Sequence, residues 1–244
     1  MRSDQSNNGH RPLRLVVVTA GTSVPSSTRM LADRIVGATG DSLAARGHEL
    51  DVANVEVREI AHDVVDATLT RFPSDRLKSV LDELSRADGV IAVSPIYNQA
   101  PSGLFTSFVG VLEPDSLAGV PVALGATGGT ARHSLAIDYG LRPVFSYLKA
   151  DVVPTTVFAA SEDFGATTTS ADSDSLGGRT VRAGTELADF MLRFAGITGG
   201  AVAPTRAADA EMAADGTAPA PRGRRSAADE FEDFVPMGDL LGGR

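Results

Sequence analysis

The chain contains no cysteine among its 244 residues. This absence excludes disulfide bonds, thiolate catalysis and metal sites built from cysteine. The few histidines do not replace them, because His10, His48 and His62 are scattered along the chain without the spacing of metal ligands. We therefore expect no metal site.

Basic residues are also scarce. The chain has 22 Lys and Arg against 31 Asp and Glu, a formal net charge of −9. Nucleic-acid binding normally needs a basic face, so this class of protein is disfavoured. No apolar run reaches the roughly 18 residues of a membrane span, and residues 1–12 lack the apolar stretch of a signal peptide. We expect a cytoplasmic protein that does not interact with membranes.

Composition divides the chain into three parts. Hydrophobic residues make up 43% of it, enough to bury one sizeable core. Beyond Gly199 the sequence changes to Ala, Pro, Gly, Arg and Asp, which is typical of disorder. We predict a disordered lead-in at 1–12, one folded domain at 13–198 and a disordered Ala/Pro/Gly-rich tail at 199–244.

Short apolar runs alternate along the chain with amphipathic stretches of helical period. The strand-like runs lie at 13–19, 50–60, 90–93, 121–126 and 152–158. Alternating strands and helices imply a parallel sheet that is covered on both faces. We predict an α/β fold, a flavodoxin-like three-layer sandwich with five parallel strands in the order 2-1-3-4-5 and helices on both faces.

Three loops of unusual composition follow the first, third and fourth predicted strands. In an open parallel sheet, ligands bind beyond the carboxyl ends of the strands, near the switch in strand order. In the order 2-1-3-4-5 these three strand ends are neighbours. The loops are therefore expected to meet around one ligand.

The first loop is rich in hydroxyl groups and leads into a helix. Its candidate ligand-binding residues are Thr22, Ser23, Ser26, Ser27 and Thr28. A helix N-terminus has unpaired N–H groups and a positive dipole end, which suit a phosphate. The loop has neither the GxGxxG pattern of a dinucleotide site nor the lysine of a P-loop. It is equally compatible with a capped loop that carries surface serines.

The other two loops offer flat and small groups. Their candidate residues are Pro95, Ile96, Tyr97 and Asn98 in the second loop, and Thr127, Gly128 and Gly129 in the third. Tyrosine presents an apolar ring face, and paired glycines let the backbone approach a ligand closely. Taken singly, each loop also fits an ordinary structural turn. Together the three loops suit a ligand with one phosphate and a planar ring, which is the shape of FMN.

Two stretches carry a family resemblance. They are ADGVIAVSPIYNQAPSGLF and LAGVPVALGATGGTARHSLAIDYGLRPVFSYLKADVVPTTVFA, and the likeness runs from about Leu13 to Phe194. On these residues the chain resembles the NADPH-dependent FMN reductase family of flavodoxin-like proteins. It is most similar to the flavin reductases of two-component monooxygenase systems, including actinobacterial reductases paired with luciferase-like monooxygenases.

The resemblance implies a function for each loop. Thr22, Ser26 and Thr28 would hold the FMN phosphate, with Ser23 and Ser27 beside them. Residues 95–98 would line the ribityl chain and the isoalloxazine ring, and residues 127–129 would edge the ring on the far side. The implied reaction is hydride transfer from NADPH or NADH to flavin N5, with reduced flavin passed to a partner monooxygenase. A homodimer or homotetramer is also implied.

Some features differ from the family pattern or stay open. Val24-Pro25 stands where the family commonly has an arginine, which leaves NADPH and NADH open as the reductant. Thr106 and Gly110 stand where many relatives have Lys and Asp. His133 fits either a helix-capping or packing role or stabilisation of charge on reduced flavin. No catalytic side chain is assigned, because the cofactor carries the chemistry.

Three alternative functions remain compatible with the sequence. The first is an enzyme that retains FMN and reduces quinones or azo compounds. The second is a flavodoxin-like electron carrier without nicotinamide activity. The third is a domain that has lost flavin and serves as a binding module.

Overall fold

The computed structural model describes residues 11–164 and 175–197. Most of the predicted lead-in at 1–12 and the whole predicted tail at 199–244 lie outside the described residues. The strands are β1 Leu13–Thr19, β2 Leu50–Glu56, β3 Gly89–Tyr97, β4 Ala100–Pro101, β5 Pro121–Gly128, β6 Asp151–Val152 and β7 Val157–Ala160. The α-helices are α1 Ser27–Ala44, α2 Ala61–Thr70, α3 Asp75–Ser85, α4 Gly103–Val109, α5 Arg142–Tyr147 and α6 Leu176–Phe194.

One sheet organises the fold. Its strands follow the order β2-β1-β3-β5, and β6 and β7 both pair with the far side of β5. These pairs are all parallel, and only β4 runs antiparallel, along β3. The predicted α/β class and the flavodoxin-like strand order are confirmed.

The predicted count of five strands is wrong, because the described residues form seven. The fifth predicted strand is divided into β6 and β7. Pro154 has no N–H to donate to a neighbouring strand, and Thr155 donates its N–H to Glu186 Oε2 of α6 at 2.7 Å. The short strand β4 follows a turn in which Asn98 and Gln99 have φ angles of 50° and 68°, values typical of tight hairpin turns.

The sheet is covered on both faces, as predicted. Side chains alternate between the two faces of a strand, and β1 shows this directly. Leu15 and Val17 lie in a buried cluster with residues of α1 and α6. Val16 and Val18 lie in a second buried cluster with residues of α2, α3, α4 and α5.

Four of the helices begin at a serine that caps the backbone. The Oγ atoms of Ser26, Ser74, Ser102 and Ser175 accept hydrogen bonds from backbone N–H groups at the starts of α1, α3, α4 and α6. A capping hydroxyl satisfies one of the N–H groups that a helix start leaves unpaired. These serines fix the residues at which the four helices begin.

The helix that follows β5 is interrupted. A single α-helix through this segment would carry Pro143 in its interior, where the proline ring clashes with the preceding turn. In the structure a π-helical turn spans Ile137–Leu141, and Arg142 donates its backbone N–H to the carbonyl of Ile137. Because this wider turn ends just before the proline, Pro143 lies in the first turn of α5, where proline is tolerated.

Within the described residues, no helix is both long and apolar enough to cross a membrane.

Candidate functional site

The carboxyl ends of β1, β3 and β5 lie side by side. Thr19 of β1 is in register with Val93 of β3, and Pro95 of β3 is in register with Thr127 of β5. The loops that leave these three ends surround a cavity of about 230 Å³. Its wall is formed by Gly21, Thr22, Ser23, Ser27, Thr28, Pro95, Ile96, Tyr97, Thr127, Gly128, Gly129, Ser161 and Phe164.

The first loop runs from β1 directly into the N-terminus of α1. Ser26 caps this helix by accepting the N–H of Arg29 at 3.2 Å. Gly21 makes the turn possible, because a Cβ atom there would lie 2.1 Å from Ser26 Oγ. The exposed hydroxyl residues Thr22, Ser23 and Ser27 line the cavity. The cavity therefore opens onto the positive end of the helix dipole.

Two buried threonines join the first loop to the third. Thr28 in the first turn of α1 and Thr127 near the end of β5 are both buried. Their Oγ1 atoms lie 3.1 Å apart, within hydrogen-bonding distance. This contact fixes the start of α1 against the end of β5.

A pair of serines shapes the second loop. Ser94 Oγ accepts the N–H of Ser102 at 3.1 Å and donates to the carbonyl of Pro95 at 2.9 Å. The Ser102 N–H also lies 3.0 Å from that carbonyl. These bonds hold Pro95, Ile96 and Tyr97 at the cavity while Tyr97 stays 53% exposed. Neither serine is among the predicted site residues.

The two glycines of the third loop have different roles. A Cβ atom on Gly128 would lie 2.8 Å from Cζ of the buried Phe158, so this glycine lets the Phe158 ring pack beneath β5. A Cβ atom on Gly129 would meet nothing within 4 Å. Gly128 is therefore needed for packing, whereas Gly129 leaves open space at the cavity wall.

Ten of the predicted site residues line the cavity, and Ser26 and Asn98 do not. The Ser26 side chain is engaged in capping α1. Asn98 lies in the hairpin turn between β3 and β4 with a positive φ angle. Both residues thus shape loops that reach the cavity without forming part of its wall.

Three wall residues were not predicted. Gly21 belongs to the first loop, but Ser161 and Phe164 belong to a 3₁₀ turn, Ser161–Phe164, that follows β7. Since β7 is parallel to β5 and adjacent to it, its carboxyl end meets the same edge of the sheet. The signal available in the sequence was the polar segment that begins at Ser161, directly after the last predicted strand.

The wall residues of this cavity carry no charged side chain. Two arginines lie beside the first loop, but Glu56 at the end of β2 pairs with both: Arg58 at 2.6 Å and Arg29 at 3.5 Å. Arg58 also donates to the carbonyl of Ser23 at 3.3 Å. An anion in the cavity would thus be held mainly by neutral hydroxyl and backbone N–H donors at the start of α1.

His133 does not line the cavity. It is the last residue of a short 3₁₀ turn, Ala131–His133, which Thr130 caps. Its Nδ1 atom is buried and makes no hydrogen bond within the described residues. A role in stabilising reduced flavin therefore stays a prediction.

A sequence profile of the NADPH-dependent FMN reductases matches residues 13–165. The chain belongs to this family. The match covers β1 to the turn after β7, which includes every wall residue of the cavity. The predicted resemblance to the NADPH-dependent FMN reductase family is thereby confirmed.

Curated FMN reductases are similar over the same part of the chain. An FMN reductase (NADPH) of Pseudomonas aeruginosa is 36% identical over 154 residues, which is 63% of this chain and 80% of that protein. An NADH-dependent FMN reductase of Pseudomonas putida is 35% identical over 152 residues, 62% of this chain and 80% of that protein. The names of these two FMN reductases thus specify different nicotinamide nucleotides.

Two solved structures share the fold and the sequence pattern. An oxidoreductase from Corynebacterium diphtheriae superposes with a TM-score of 0.71 at 40% identity, over 75% of this chain and 99% of that chain. An NADH:FMN oxidoreductase in its apo form gives a TM-score of 0.60 at 26% identity, over 74% of this chain and 89% of that chain. This FMN reductase is an oxidoreductase that uses FMN together with NADPH or NADH, as the sequence predicted.

Proposed function

We propose that the cavity at the ends of β1, β3 and β5 is where this FMN reductase binds flavin. The observation that supports this most strongly is that loops from three non-consecutive strand ends surround one cavity at the N-terminus of α1. The phosphate would lie at Thr22, Ser23, Ser27 and Thr28, with Ser26 holding the helix start. The ring system would lie against residues 95–97 and 127–129, with Asn98 shaping the hairpin beside it.

The wall chemistry fits FMN. Hydroxyl and helix N-terminal N–H donors suit a single phosphate without requiring a lysine or arginine. No lysine or arginine lines the cavity. Proline, isoleucine and tyrosine side chains together with open glycine backbone suit the edge and face of a flat ring. When bound, FMN accepts a hydride from nicotinamide. The residues of this chain bind and orient the two reactants.

The phosphate contact is tested by replacing Ser27 with alanine. Ser27 begins α1 at the cavity, and Ser42 in the last turn of the same helix is a matched control. Hydrogen bonds to a charged group contribute about 1.5–3 kcal/mol, so Ser27→Ala should weaken FMN binding by roughly ten- to a hundredfold. Riboflavin, which lacks the phosphate, should bind both proteins equally.

The measurement is quenching of flavin fluorescence during titration of the ligand-free protein. Ser42→Ala should bind FMN as the unmodified protein does, and both variants should keep its melting temperature. FMN binding that Ser27→Ala leaves unchanged would contradict a phosphate site at the start of α1.

We further propose that reduced FMN is released to a flavin-dependent monooxygenase. Tyr97 in the cavity wall is about half exposed, which supports exchange of the flavin. A steady-state assay of NADPH and NADH oxidation with and without added FMN tests this. Oxidation should require added FMN, and a separately supplied monooxygenase of the two-component type should couple to it. FMN retained through gel filtration, with ping-pong kinetics toward quinones, would favour the flavin-retaining alternative.

The proposed homodimer or homotetramer has support from an apolar groove between α4 and α5. The groove has a volume of about 420 Å³, and Phe105, Val109, Leu141 and Leu148 contribute to its wall. Tyr147 at its rim is 72% exposed, so the groove and this ring offer apolar surface to a second copy of the chain. Light scattering on the purified full chain should give a mass of two or four copies, and a monomer mass would contradict this assembly.

Because the reaction needs nicotinamide nucleotides, we place the enzyme in the cytoplasm, which cell fractionation tests.

A further inference from the structure

A fourth wall of the cavity comes from the turn after β7. Ser161 and Phe164 of this turn line the cavity together with the three loops described above. Phe164 is half-buried, and it and Tyr97 are the two aromatic side chains in the wall. The turn thus adds an apolar ring to a wall that is otherwise rich in hydroxyl groups and glycine.

A side chain from α6 holds this turn in place. Arg179 donates from Nη1 to the carbonyl of Phe158 in β7 at 2.7 Å. Its Nη2 atom lies 3.7 Å from Asp163 Oδ2, and the same carboxylate oxygen accepts the N–H of Ala160 at 2.8 Å. Arg179 therefore connects the last residues of the strand to the carboxylate that closes the turn.

The ring of Phe164 is also contacted by a residue of α1. It packs against the buried cluster that α1 and α6 form with the sheet. The guanidinium carbon of Arg34 lies 5.6 Å from the centre of the ring, within the range of a cation–π contact. Contacts from two helices therefore fix Phe164 where it meets the cavity.

We propose that Phe164 is a binding residue for the flavin ring system and that Arg179 is the residue that positions it. This inference rests on the proposed function, because it assumes that the cavity holds FMN. An aromatic side chain adds apolar and stacking contact to a planar ring and nothing to a phosphate. Phe164 therefore contributes equally to the binding of FMN and riboflavin, in contrast to Ser27.

The experiment compares Phe164 and Arg179 with a second phenylalanine and a second arginine that lie outside the cavity wall. Phe164→Leu is matched by Phe190→Leu in α6, because Phe190 is also half-buried beneath an arginine, Arg193, at 4.1 Å. Arg179→Met is matched by Arg193→Met on the same helix. Neither Phe190 nor Arg193 lines the cavity. Arg179→Lys keeps the positive charge and tests for rescue.

Dissociation constants for FMN and riboflavin and the melting temperature of the ligand-free protein are measured for each variant. Loss of an aromatic contact of about 0.5–1.5 kcal/mol corresponds to a roughly three- to tenfold weaker binding. Phe164→Leu and Arg179→Met should show this loss for both flavins, and Arg179→Lys should recover part of it. Phe190→Leu and Arg193→Met should bind both flavins as the unmodified protein does.

Two outcomes overturn the inference while leaving the FMN site in place. One is unchanged flavin binding in Phe164→Leu when Ser27→Ala binds FMN more weakly. The other is a loss of affinity in Arg179→Met that the Arg193→Met control shows to the same extent. If neither Ser27→Ala nor Phe164→Leu alters FMN binding, the proposed function itself fails.

Discussion

At the scale of single residues, the third loop shows why composition alone does not assign a role. The pair Gly128-Gly129 predicted close approach of the backbone to a ligand. The structure separates the two positions, because a side chain at Gly128 would overlap Phe158, whereas one at Gly129 would meet open space. The first glycine is thus explained by packing, and only the second leaves room at the cavity.

This difference predicts unequal effects of the same substitution at neighbouring positions. Gly128→Ala brings a methyl group 2.8 Å from the ring of buried Phe158, and overpacking of this kind costs about 1–3 kcal/mol. Gly129→Ala should leave the free energy of unfolding nearly unchanged. Urea denaturation of the two variants measures both values. Equal free energies of unfolding for the two variants would show that the Phe158 ring moves aside without cost.

At the scale of elements, the sequence predicted strands and helices where the apolar pattern and the residues that flank it indicate the same element. β1, β3 and β5 were predicted because each is an apolar run between turn residues, and a helix at α1 because a loop rich in hydroxyl groups precedes it. The break between β6 and β7 was missed, since it depends on the contact of Thr155 with Glu186 from a distant helix. A contact between elements far apart in sequence has no local signal.

The contact between α1 and α6 gives the prediction at this scale. A Cβ atom on Gly184 of α6 would lie 2.6 Å from Ala38 Cβ and 2.8 Å from the Thr39 backbone nitrogen. Because a backbone atom cannot swing away, Gly184→Ala must push the helices apart, at a cost of about 1–3 kcal/mol. This exceeds the roughly 1 kcal/mol that alanine gains in helix propensity.

Gly37→Ala in α1 is the matched control for that substitution. A Cβ atom there meets nothing within 4 Å, so only the gain of up to about 1 kcal/mol in propensity should remain. Thermal unfolding should therefore give a lower melting temperature for Gly184→Ala and an equal or higher one for Gly37→Ala. Two variants of raised stability would refute close packing of the two helices.

At the scale of the whole molecule, strand order determines which loops lie side by side at the cavity. The order 2-1-3 brings the ends of β1 and β3 together although α1, β2, α2 and α3 lie between them in sequence. This is why ten of twelve candidate residues could be predicted to meet without any coordinates. Ser161 and Phe164 were missed because candidate residues were taken only from the first, third and fourth predicted strand ends, although the fifth meets the same edge.

The most direct measurement of the central claim is a crystal structure of the full chain grown with FMN. We expect the phosphate at the start of α1, within hydrogen-bonding distance of Ser27 and Thr22, and the ring between residues 95–97 and Gly129. The ring should contact Phe164. Flavin found elsewhere, for example in the apolar groove between α4 and α5 with the strand-end cavity empty, would contradict the account.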